Sequence, residues 1–480
     1  MASVTKQAAP DFPTAAFPLL HDTQLRQNVR HATDVIQGKR FRVVSEMPDW
    51  QLLRDAGQRI RAHTFEYLDT YLEEFERHCT AAGGHVHWAR DGAEATRIVV
   101  QLARNETGKV IKIKSMTTEE IGLNRALEAA GVQPIETDLA ELIVQLGHDK
   151  PSHIVVPALH KNRHEVRELF ARTLNLPDLG DRPEDLTEAA RVYLRQQFLH
   201  TPVAISGANF LVAETGGVCI VESEGNGRMC LTLPRKLIAI AGIDKVIPRF
   251  LDLEVLLQLL PRSATGERMN PYNSLWTGVH SGDGPQEFHV VLLDNRRTEV
   301  LRDPESRETL HCIRCGACQN ACPVYRQTGG HAYGSVYAGP IGAILTPQLA
   351  MMHEGKSLPY ASSLCGACYE VCPVKINIPE VLIHLRGRIV NEQPKLVRAF
   401  DPEAAAMRAM QWIFMNHMRL KLAQWIGRMV QRPFIGRSGW IEKLPGILGG
   451  WTRTRDLRPL PAQSFRAWFK ARGESSSEVL

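Results

Sequence analysis

The chain has 480 residues, of which 44% are hydrophobic and 23% charged, and its net charge is only +5. This length is enough for two to four domains, and the composition is typical of a soluble globular protein. No apolar run approaches the ~18 residues that cross a bilayer, which excludes a transmembrane protein. The small net charge gives little support for a nucleic-acid partner, and we expect none. The N-terminal residues lack a basic region followed by an unbroken apolar run, which argues against a signal peptide.

After a polar leader, residues 1–49, short apolar runs alternate with helical stretches up to residue 298. This alternation indicates βαβ units and a mainly parallel sheet, so we predict an α/β domain over 50–298. Turns at 222–228 and 281–284 line either a pocket or the surface, and their Gly and Asn residues favour surface turns. In chain order, the predicted elements are a helix over 22–35, helical spacing over 50–80, strand 85–89, helix 92–105, strand 110–114, helix 118–130, strand 153–159, helix 163–174, two strands within 209–228 with turns at 216–217 and 225–227, and strands 237–242 and 288–295.

Two further regions follow, 299–392 with seven of the ten cysteines and 393–480 with a basic composition. From residue 394 onward there are fifteen Lys and Arg but six Asp and Glu, and five of the eight tryptophans lie there. One interpretation is a helical cap whose apolar stripe packs on its own protein. The other is a docking surface for an acidic partner or a membrane face.

The first cysteine run is Cys312, Cys315, Cys318 and Cys322 followed by a proline, the spacing C-x2-C-x2-C-x3-C-P. This is the pattern of bacterial-type [4Fe–4S] sites, in which three closely spaced thiolates bind one cube and the fourth binds the other cluster. Structural zinc uses one or two cysteine pairs, which fits seven clustered cysteines poorly. Clustered cysteines in a chain without a signal peptide also indicate metal binding in a reducing compartment, and we expect a cytoplasmic protein.

The second run, Cys365, Cys368 and Cys372, repeats the x2, x3 and proline spacing, but Ser362 stands where a first cysteine is expected. Crossed ligation then assigns Cys372 to the first cluster with the first three cysteines of the first run. Cys322, Cys365 and Cys368 remain for a second cluster that lacks one thiolate. Four alternatives stay open for its fourth iron: Ser362, a solvent species, a residue of a partner, or absence of that iron as in a three-iron cube.

Other residues near the runs carry secondary predictions. Arg314 and Lys375 would favour the more negative, reduced state of a nearby cluster, and His311 is predicted to be a solvated loop histidine. Glycines crowd the 42 residues between the two runs, which predicts an irregular loop packed closely on a cluster or a partner. The scattered cysteines are interpreted as ordinary core residues: Cys79, Cys219 and Cys230.

The chain resembles the lactate utilization protein B family, iron–sulfur subunits of bacterial L-lactate oxidation. The residues that carry the resemblance are HCIRCGACQNACPVYR (311–326), GGHAYGSVYAGPIGAILTP (329–347), LPYASSLCGACYEVCPVKINIP (358–379), KSMTTEEIGLN (114–124) and RPLPAQSFRAWFK (458–470). The resemblance implies a LUD domain similar to CoA transferases and sugar-phosphate isomerases, a mainly helical ferredoxin-like domain with two [4Fe–4S] clusters, and a helical tail. It also implies two partners, a cysteine-rich subunit and a small protein with its own LUD domain.

Together, the cysteine runs and this resemblance imply an electron-transfer subunit in the oxidation of L-lactate to pyruvate. A rival interpretation makes the LUD-like domain itself a catalytic or small-molecule-binding site, near residues 206–228, with accessory clusters. In a third interpretation the clusters are structural staples only.

Overall fold

A computed structural model describes residues 11–105, 107–350, 352, 354–392, 401–452 and 455–476. The chain divides into two compact units, Met1–Asn391 and Glu392–Leu480. In the part of the chain that the structure describes, no helix is both long enough and apolar enough to cross a bilayer.

Among the residues that the structure describes, the strands all lie in the first unit. Their bounds are β1 Gly84–Ala89, β2 Lys109–Lys112, β3 Gln133–Glu136, β4 Val203–Ser206, β5 Phe210–Val212, β6 Gly217–Glu222, β7 Lys236–Gly242, β8 Val246–Ile247, β9 Tyr272–Trp276 and β10 Glu287–Leu293. A six-stranded sheet has the order β1-β10-β7-β4-β2-β3, and a four-stranded sheet has the order β8-β5-β6-β9. Every pairing in the larger sheet is parallel, as the sequence predicted. β7 and β10 are buried apolar runs, because helices cover both faces of such a sheet.

The helices surround the sheets and make up most of the cysteine region. Their bounds are α1 Phe12–Leu19, α2 Thr23–Ser45, α3 Trp50–Glu66, α4 Leu68–Ala81, α5 Gly92–Ala103, α6 Met116–Glu120, α7 Leu123–Ala129, α8 Leu139–Leu146, α9 Arg163–Thr173, α10 Pro183–His200, α11 Asn226–Thr232, α12 Phe250–Ala264, α13 Arg297–Leu301, α14 Ala317–Ala321, α15 Tyr325–Thr328, α16 Gly339–Leu349, α17 Ala367–Val371, α18 Ile378–Asn391, α19 Pro402–Phe414, α20 His417–Val430, α21 Gly449–Thr452 and α22 Phe465–Ser476. Short 3-10 turns lie at Ala213–Thr215, Ile243–Lys245, Arg307–His311, His331–Tyr333, Leu358–Tyr360, Arg432–Phe434 and Gly446–Leu448.

Four predicted elements differ in the structure. The segment between the two cysteine runs, predicted to be an irregular loop, contains α15 and α16. The strand predicted over 153–159 is wrong, because this segment is an irregular loop whose backbone bonds to the cysteine region. Tyr325 Oη donates to the carbonyl of Ser152 over 2.7 Å, so the apolar residues of the loop cover that region instead of entering the sheet. The helix predicted over 118–130 is broken by Gly122, which adopts a left-handed conformation (φ 65°). The turn predicted at 225–227 is instead the start of α11.

The leader is also more ordered than the sequence indicated. The helix predicted over 22–35 continues to Ser45, and α1 precedes it. Asp22 caps α2 by accepting a hydrogen bond from the Leu25 N–H over 2.9 Å. α2 packs on α12, α14 and α15, so the leader is part of the wall around the cysteines.

The second unit carries an amphipathic basic helix, α20. Its polar side chains include Lys421 and Arg428, and residues 404–441 contain no Asp or Glu. An apolar stripe runs along the other face of this helix. Its side chains are exposed: Met418, Leu422, Trp425, Ile426, Met429 and Val430. Within this unit the apolar stripe that the sequence indicated is therefore not covered.

The turn between β5 and β6 requires glycine at position 216, which a substitution by alanine can test. The φ of this glycine is +64°, and a Cβ there would lie 2.2 Å from the backbone N of Cys79. A Cβ on Gly131, where φ is +79°, would have no atom of another described residue, its two chain neighbours aside, within 4 Å. Alanine in the left-handed region costs about 1–2 kcal/mol at either site, but only Gly216→Ala also overlaps the backbone. We expect Gly131→Ala to lower the free energy of unfolding by about 1 kcal/mol and Gly216→Ala by ~3 kcal/mol or more in urea titrations. Equal losses would contradict this account.

Candidate iron–sulfur centre

Four cysteines from the two runs line one cavity. Cys312, Cys315 and Cys318 come from the first run, and Cys372 reaches the same cavity from the second. Cys312 is partly exposed, and the other three are buried. Apolar side chains complete the lining: Ile313, Ile341, Val374, Ile376 and Ile378. The structure thus brings together the four thiols that the sequence assigned to one cluster.

Backbone N–H groups point at the sulfur atoms of this cavity. The Arg314 N–H donates to Cys312 Sγ over 3.4 Å, and the Ile376 N–H donates to Cys372 Sγ over 3.3 Å. Arg314 (φ 61°) and Gly316 (φ 74°) adopt left-handed conformations on either side of Cys315, which curls the loop around the cavity. Such N–H···S bonds stabilise thiolates and tune the potential of a bound cluster.

The other three cysteines form a second group. Cys322 and Cys368 are buried, whereas Cys365 is exposed. Burial, then the neighbouring Cys322 and Cys365, raises the pKa of Cys368 to about 12. Burial also raises the pKa of Cys322, with a smaller contribution from Cys365. Ser362 lies half-buried in the same loop as Cys365.

An iron–sulfur cluster fits these donors, because closely spaced buried thiols need a cation in order to ionise. Burial first, and then the neighbouring sulfur atoms, raises the pKa of Cys315 and Cys318 well above that of a free cysteine. Burial raises the pKa of Cys372 to about 11. Iron binds thiolate and offsets this cost, and a [4Fe–4S] cluster held there supplies one-electron redox chemistry.

Arginines from the N-terminal helices contact the backbone of the second run. Arg54 Nε donates to the carbonyl of Cys372 over 2.9 Å, and Arg40 Nη2 donates to the carbonyl of Val371 over 3.1 Å. Both arginines lie more than 300 residues before their partners, so cysteine spacing gave no sign of them. They place positive charge beside the thiols and fix the path of the chain at Cys372.

A buried ion network joins the first cysteine loop to the sheet. Asp244, which follows β7, is fully buried and lies 2.5 Å from Arg297 Nε and 3.2 Å from Arg314 Nη2. Arg297 also pairs with Glu120 over 2.9 Å, and Glu120 accepts a 2.6 Å hydrogen bond from Tyr337 Oη. The Arg314 guanidinium is therefore near the cysteines, as the sequence indicated, but its charge is paired.

Two sequence interpretations near the cysteines need adjustment. His311 is not a solvated loop residue: its ring stacks on Phe65 with centroids 5.5 Å apart, and burial lowers its pKa to about 3. Lys375 pairs with Asp55, so its charge is also balanced. The scattered cysteines are buried in the hydrophobic core, as predicted: Cys79, Cys219 and Cys230.

A second polar group lies where β2 and β3 end. Lys112 Nζ contacts Glu136 Oε1 over 2.6 Å, and Lys114 Nζ lies 3.2 Å from Glu141 Oε1. Burial raises the pKa of Glu141 to about 7. Ligands of α/β proteins bind at this carboxyl edge of the sheet, so these residues form a candidate small-molecule site.

The turn over 222–228 approaches the same edge. Glu222 accepts hydrogen bonds from the N–H groups of Glu224 and Gly225 over 2.9 and 2.6 Å, which closes the turn. Glu224 in turn accepts the Leu139 N–H over 2.9 Å at the start of α8. Burial, then the charge of Glu224, raises the pKa of Asp138 to about 7. The bend before α11, which the sequence favoured as a surface turn, therefore also contributes to the polar group.

Comparison with known families defines the class of the protein. A family model described as "LUD domain" matches residues 72–293, and one described as "4Fe-4S dicluster domain" matches residues 308–376. The chain is thus a LUD domain joined to an iron–sulfur domain, and both cysteine groups lie within the segment that matches the iron–sulfur domain.

Curated relatives place it more closely. The chain is 43% identical to Lactate utilization protein B of Shouchella clausii, over 94% of this chain and 95% of the relative, and 42% identical to that of Bacillus subtilis, over 94% of each. It is also 42% identical to the "Uncharacterized electron transport protein YkgF" of Escherichia coli over 97% of each chain. The chain belongs to the lactate utilization protein B family. A solved DUF162 family protein from Deinococcus radiodurans, 10% identical over 47% of this chain and 98% of its own, gives a TM-score of 0.27, too low for the folds to be compared.

Asp138 predicts a pH dependence of stability. Its pKa of about 7 in the fold lies above the ~3.9 of an unfolded aspartate, so the fold loses stability as pH rises from ~4 to ~7. Asp138→Asn removes this titration. The free energy of unfolding of the variant minus that of the wild type should therefore increase by on the order of 2 kcal/mol between pH 5 and pH 8. Urea titrations at both pH values measure the change, with the exposed Asp178→Asn as control. A gain that is the same at both pH values would contradict the assignment.

Proposed function

We propose that this chain is the iron–sulfur electron-transfer subunit of a cytoplasmic system that oxidises L-lactate to pyruvate. The observation that carries the proposal is the convergence of Cys372 with Cys312, Cys315 and Cys318 on one cavity in a member of the lactate utilization protein B family. Membership of that family supports lactate as the substrate of the system, and a thiol set of this kind supports electron transfer as the role of this chain.

Two clusters are part of the proposal. Oxidation of a 2-hydroxy acid releases two electrons, and a pair of adjacent [4Fe–4S] clusters can accept one electron each. The first set of ligands is Cys312, Cys315, Cys318 and Cys372, and the second is Cys322, Cys365 and Cys368 with a fourth position to be assigned. Around the first set, arginines and N–H···S bonds favour the reduced, more negative state, and the apolar lining keeps water from the sulfur atoms.

We also propose two partners, a cysteine-rich subunit and a small protein with its own LUD domain. The exposure of Cys365 supports this, because electrons reach another protein most readily from a cluster at the surface. Co-expression of the three proteins and affinity purification through this chain test the proposal. A stable complex that retains both partners in 150 mM salt is expected, and purification of this chain alone would contradict it.

Cys315→Ala tests the cluster assignment. Loss of one of four ligands should remove one set of electron paramagnetic resonance signals from the reduced, anaerobically purified chain, and lactate oxidation by the assembled system should fall to background. Cys219→Ala, at a buried core cysteine, should keep both sets of signals. An unchanged spectrum of Cys315→Ala would refute the assignment.

A second candidate function places a small-molecule site in the LUD domain itself, with the clusters as accessories. The polar group at the ends of β2 and β3 favours it, because Lys114 Nζ and Glu141 Oε1 are buried without hydrogen-bond geometry between them. A ligand carboxylate at Lys114 would satisfy the ammonium, and the protonated form of Asp138 could donate to a ligand oxygen.

Lys114→Met tests this second candidate. We expect 10 mM L-lactate to raise the thermal midpoint of the wild-type chain, and Lys114→Met to abolish the rise because the carboxylate loses its cation. Lys109→Met, at the exposed lysine that begins β2, should respond like wild type. No lactate-dependent rise in the wild type would remove this candidate.

A further inference from the structure

The two cysteine runs are halves of a structural repeat, with each residue of the second half fifty positions after its counterpart. In order, Cys312, Cys315, Cys318 and Cys322 correspond to Ser362, Cys365, Cys368 and Cys372. A 3-10 turn precedes each run, and a five-residue helix, α14 or α17, starts two residues after the second ligand position. Ser362 therefore holds the position of the first ligand in the second half.

The backbone repeats as closely as the spacing. Arg314 and Leu364 both have positive φ, 61° and 54°, immediately before their cysteines. Gly316 and Gly366 follow those cysteines with φ of 74° and 84°. Residues other than glycine seldom adopt this conformation, so its recurrence at Leu364 shows that the second loop curls in the same way as the first.

The side chain of Ser362 makes the same contact as the sulfur of Cys312. In the first loop the Arg314 N–H donates to Cys312 Sγ over 3.4 Å, and in the second the Leu364 N–H donates to Ser362 Oγ over 3.1 Å. In the first loop, the sulfur in this position lines the cavity with the other three thiols. The hydroxyl oxygen of Ser362 thus occupies the place that a ligand sulfur occupies in the other half.

Arg386 holds the segment that carries Ser362. Its Nε donates to the carbonyl of Pro359 over 2.9 Å, and its Nη2 donates to the carbonyl of Ser362 over 3.4 Å. Its guanidinium also lies 5.1 Å from the ring centroid of Tyr360. The serine backbone is therefore fixed by α18 before any metal binds.

We propose that Ser362 Oγ is the fourth protein ligand of the second cluster, completing the set of Cys322, Cys365 and Cys368. The inference rests on the two-cluster assignment of the proposed function and adds the ligand that it leaves open. When the ligand binds, the Oγ–H bond breaks, an Oγ–Fe bond forms, and the proton passes to solvent without electron transfer. The Leu364 N–H then stabilises the charged oxygen, as the Arg314 N–H does for the thiolate.

An oxygen ligand gives the second cluster a distinct property. Alkoxide is a harder donor than thiolate and favours oxidised iron, so it lowers the reduction potential relative to a cluster with four thiolates. One iron of the second cluster should therefore differ spectroscopically from the other seven. Replacing the oxygen by sulfur should remove that difference and raise the potential.

The test compares Ser362→Cys, Ser362→Ala and the neighbouring Ser363→Ala in the full chain, loaded with ⁵⁷Fe and purified without oxygen. Mössbauer spectra, iron counts and redox titrations are the readouts. The wild type should hold about eight irons with one distinct site. In Ser362→Cys the distinct iron site should disappear and the reduction potential of the second cluster should rise. Ser362→Ala should lose about one iron and give the signal of a three-iron cluster. Ser363→Ala should match wild type in all three measurements.

If the spectra of both Ser362 variants are the same as that of the wild type, the proposal is overturned. Solvent or a partner would then supply the fourth ligand of the second cluster. About four irons in the wild type itself would overturn it by a different route, because the two-cluster assignment would then fail before any variant was compared. If Ser362→Ala does not fold, the wild-type chain in ¹⁷O-labelled water decides: no ¹⁷O coupling to the distinct iron supports the proposal, and such a coupling overturns it because the ligand would then be solvent.

Discussion

The cysteine region depends on one constraint: Cys372 lies in the same cavity as three cysteines 54 to 60 residues before it. The segment between the runs satisfies this constraint by packing tightly, and glycine makes that possible. A Cβ on Gly339 would lie 2.6 Å from Gln319, and one on Gly330 would lie 1.9 Å from the carbonyl of Ser152. α16 can therefore pack directly against α14, and the two runs are held at a fixed separation.

Asp244 is the second element that fixes the site. It follows β7, and its carboxylate is buried between Arg297 and Arg314, so the edge of the parallel sheet and the first cysteine loop share one ion network. Burial opposes ionisation, but these arginines keep the pKa of Asp244 well below its usual range. Removing one partner of such a network leaves a buried charge unpaired, which costs about 3–5 kcal/mol. The LUD domain therefore sets the charge around the first cysteine group and is not only attached to it.

Much of this architecture was predictable, because local signals determine it. Alternating apolar runs gave β1, β7 and β10, and cysteine spacing gave the two groups of thiols, because both patterns act over a few residues. The loop over 153–159 has the composition of a strand, but long-range bonds to Gln319 and Tyr325 decide its conformation. Arg40 and Arg54 were missed for the same reason: nothing near them in the chain marks them as neighbours of Cys372.

The two cysteine groups differ in their surroundings in a way that bears on electron transfer. The first group lies among apolar side chains, and Arg61 links the turn before it to β8 by donating to the carbonyls of Leu310 and Val246. The second group reaches the surface at Cys365, and Leu364 and Tyr369 beside it are also exposed. Shielding from water strengthens charge interactions at the inner group, whereas an exposed group exchanges electrons with a docked protein. On the proposed assignment, this chain sets the reduction potential of the inner cluster, held by the first group. The potential of the outer cluster, held by the second group, also depends on the partner protein that covers it. An oxygen ligand at Ser362 would then stabilise the oxidised state of the outer cluster until a partner changes its surroundings.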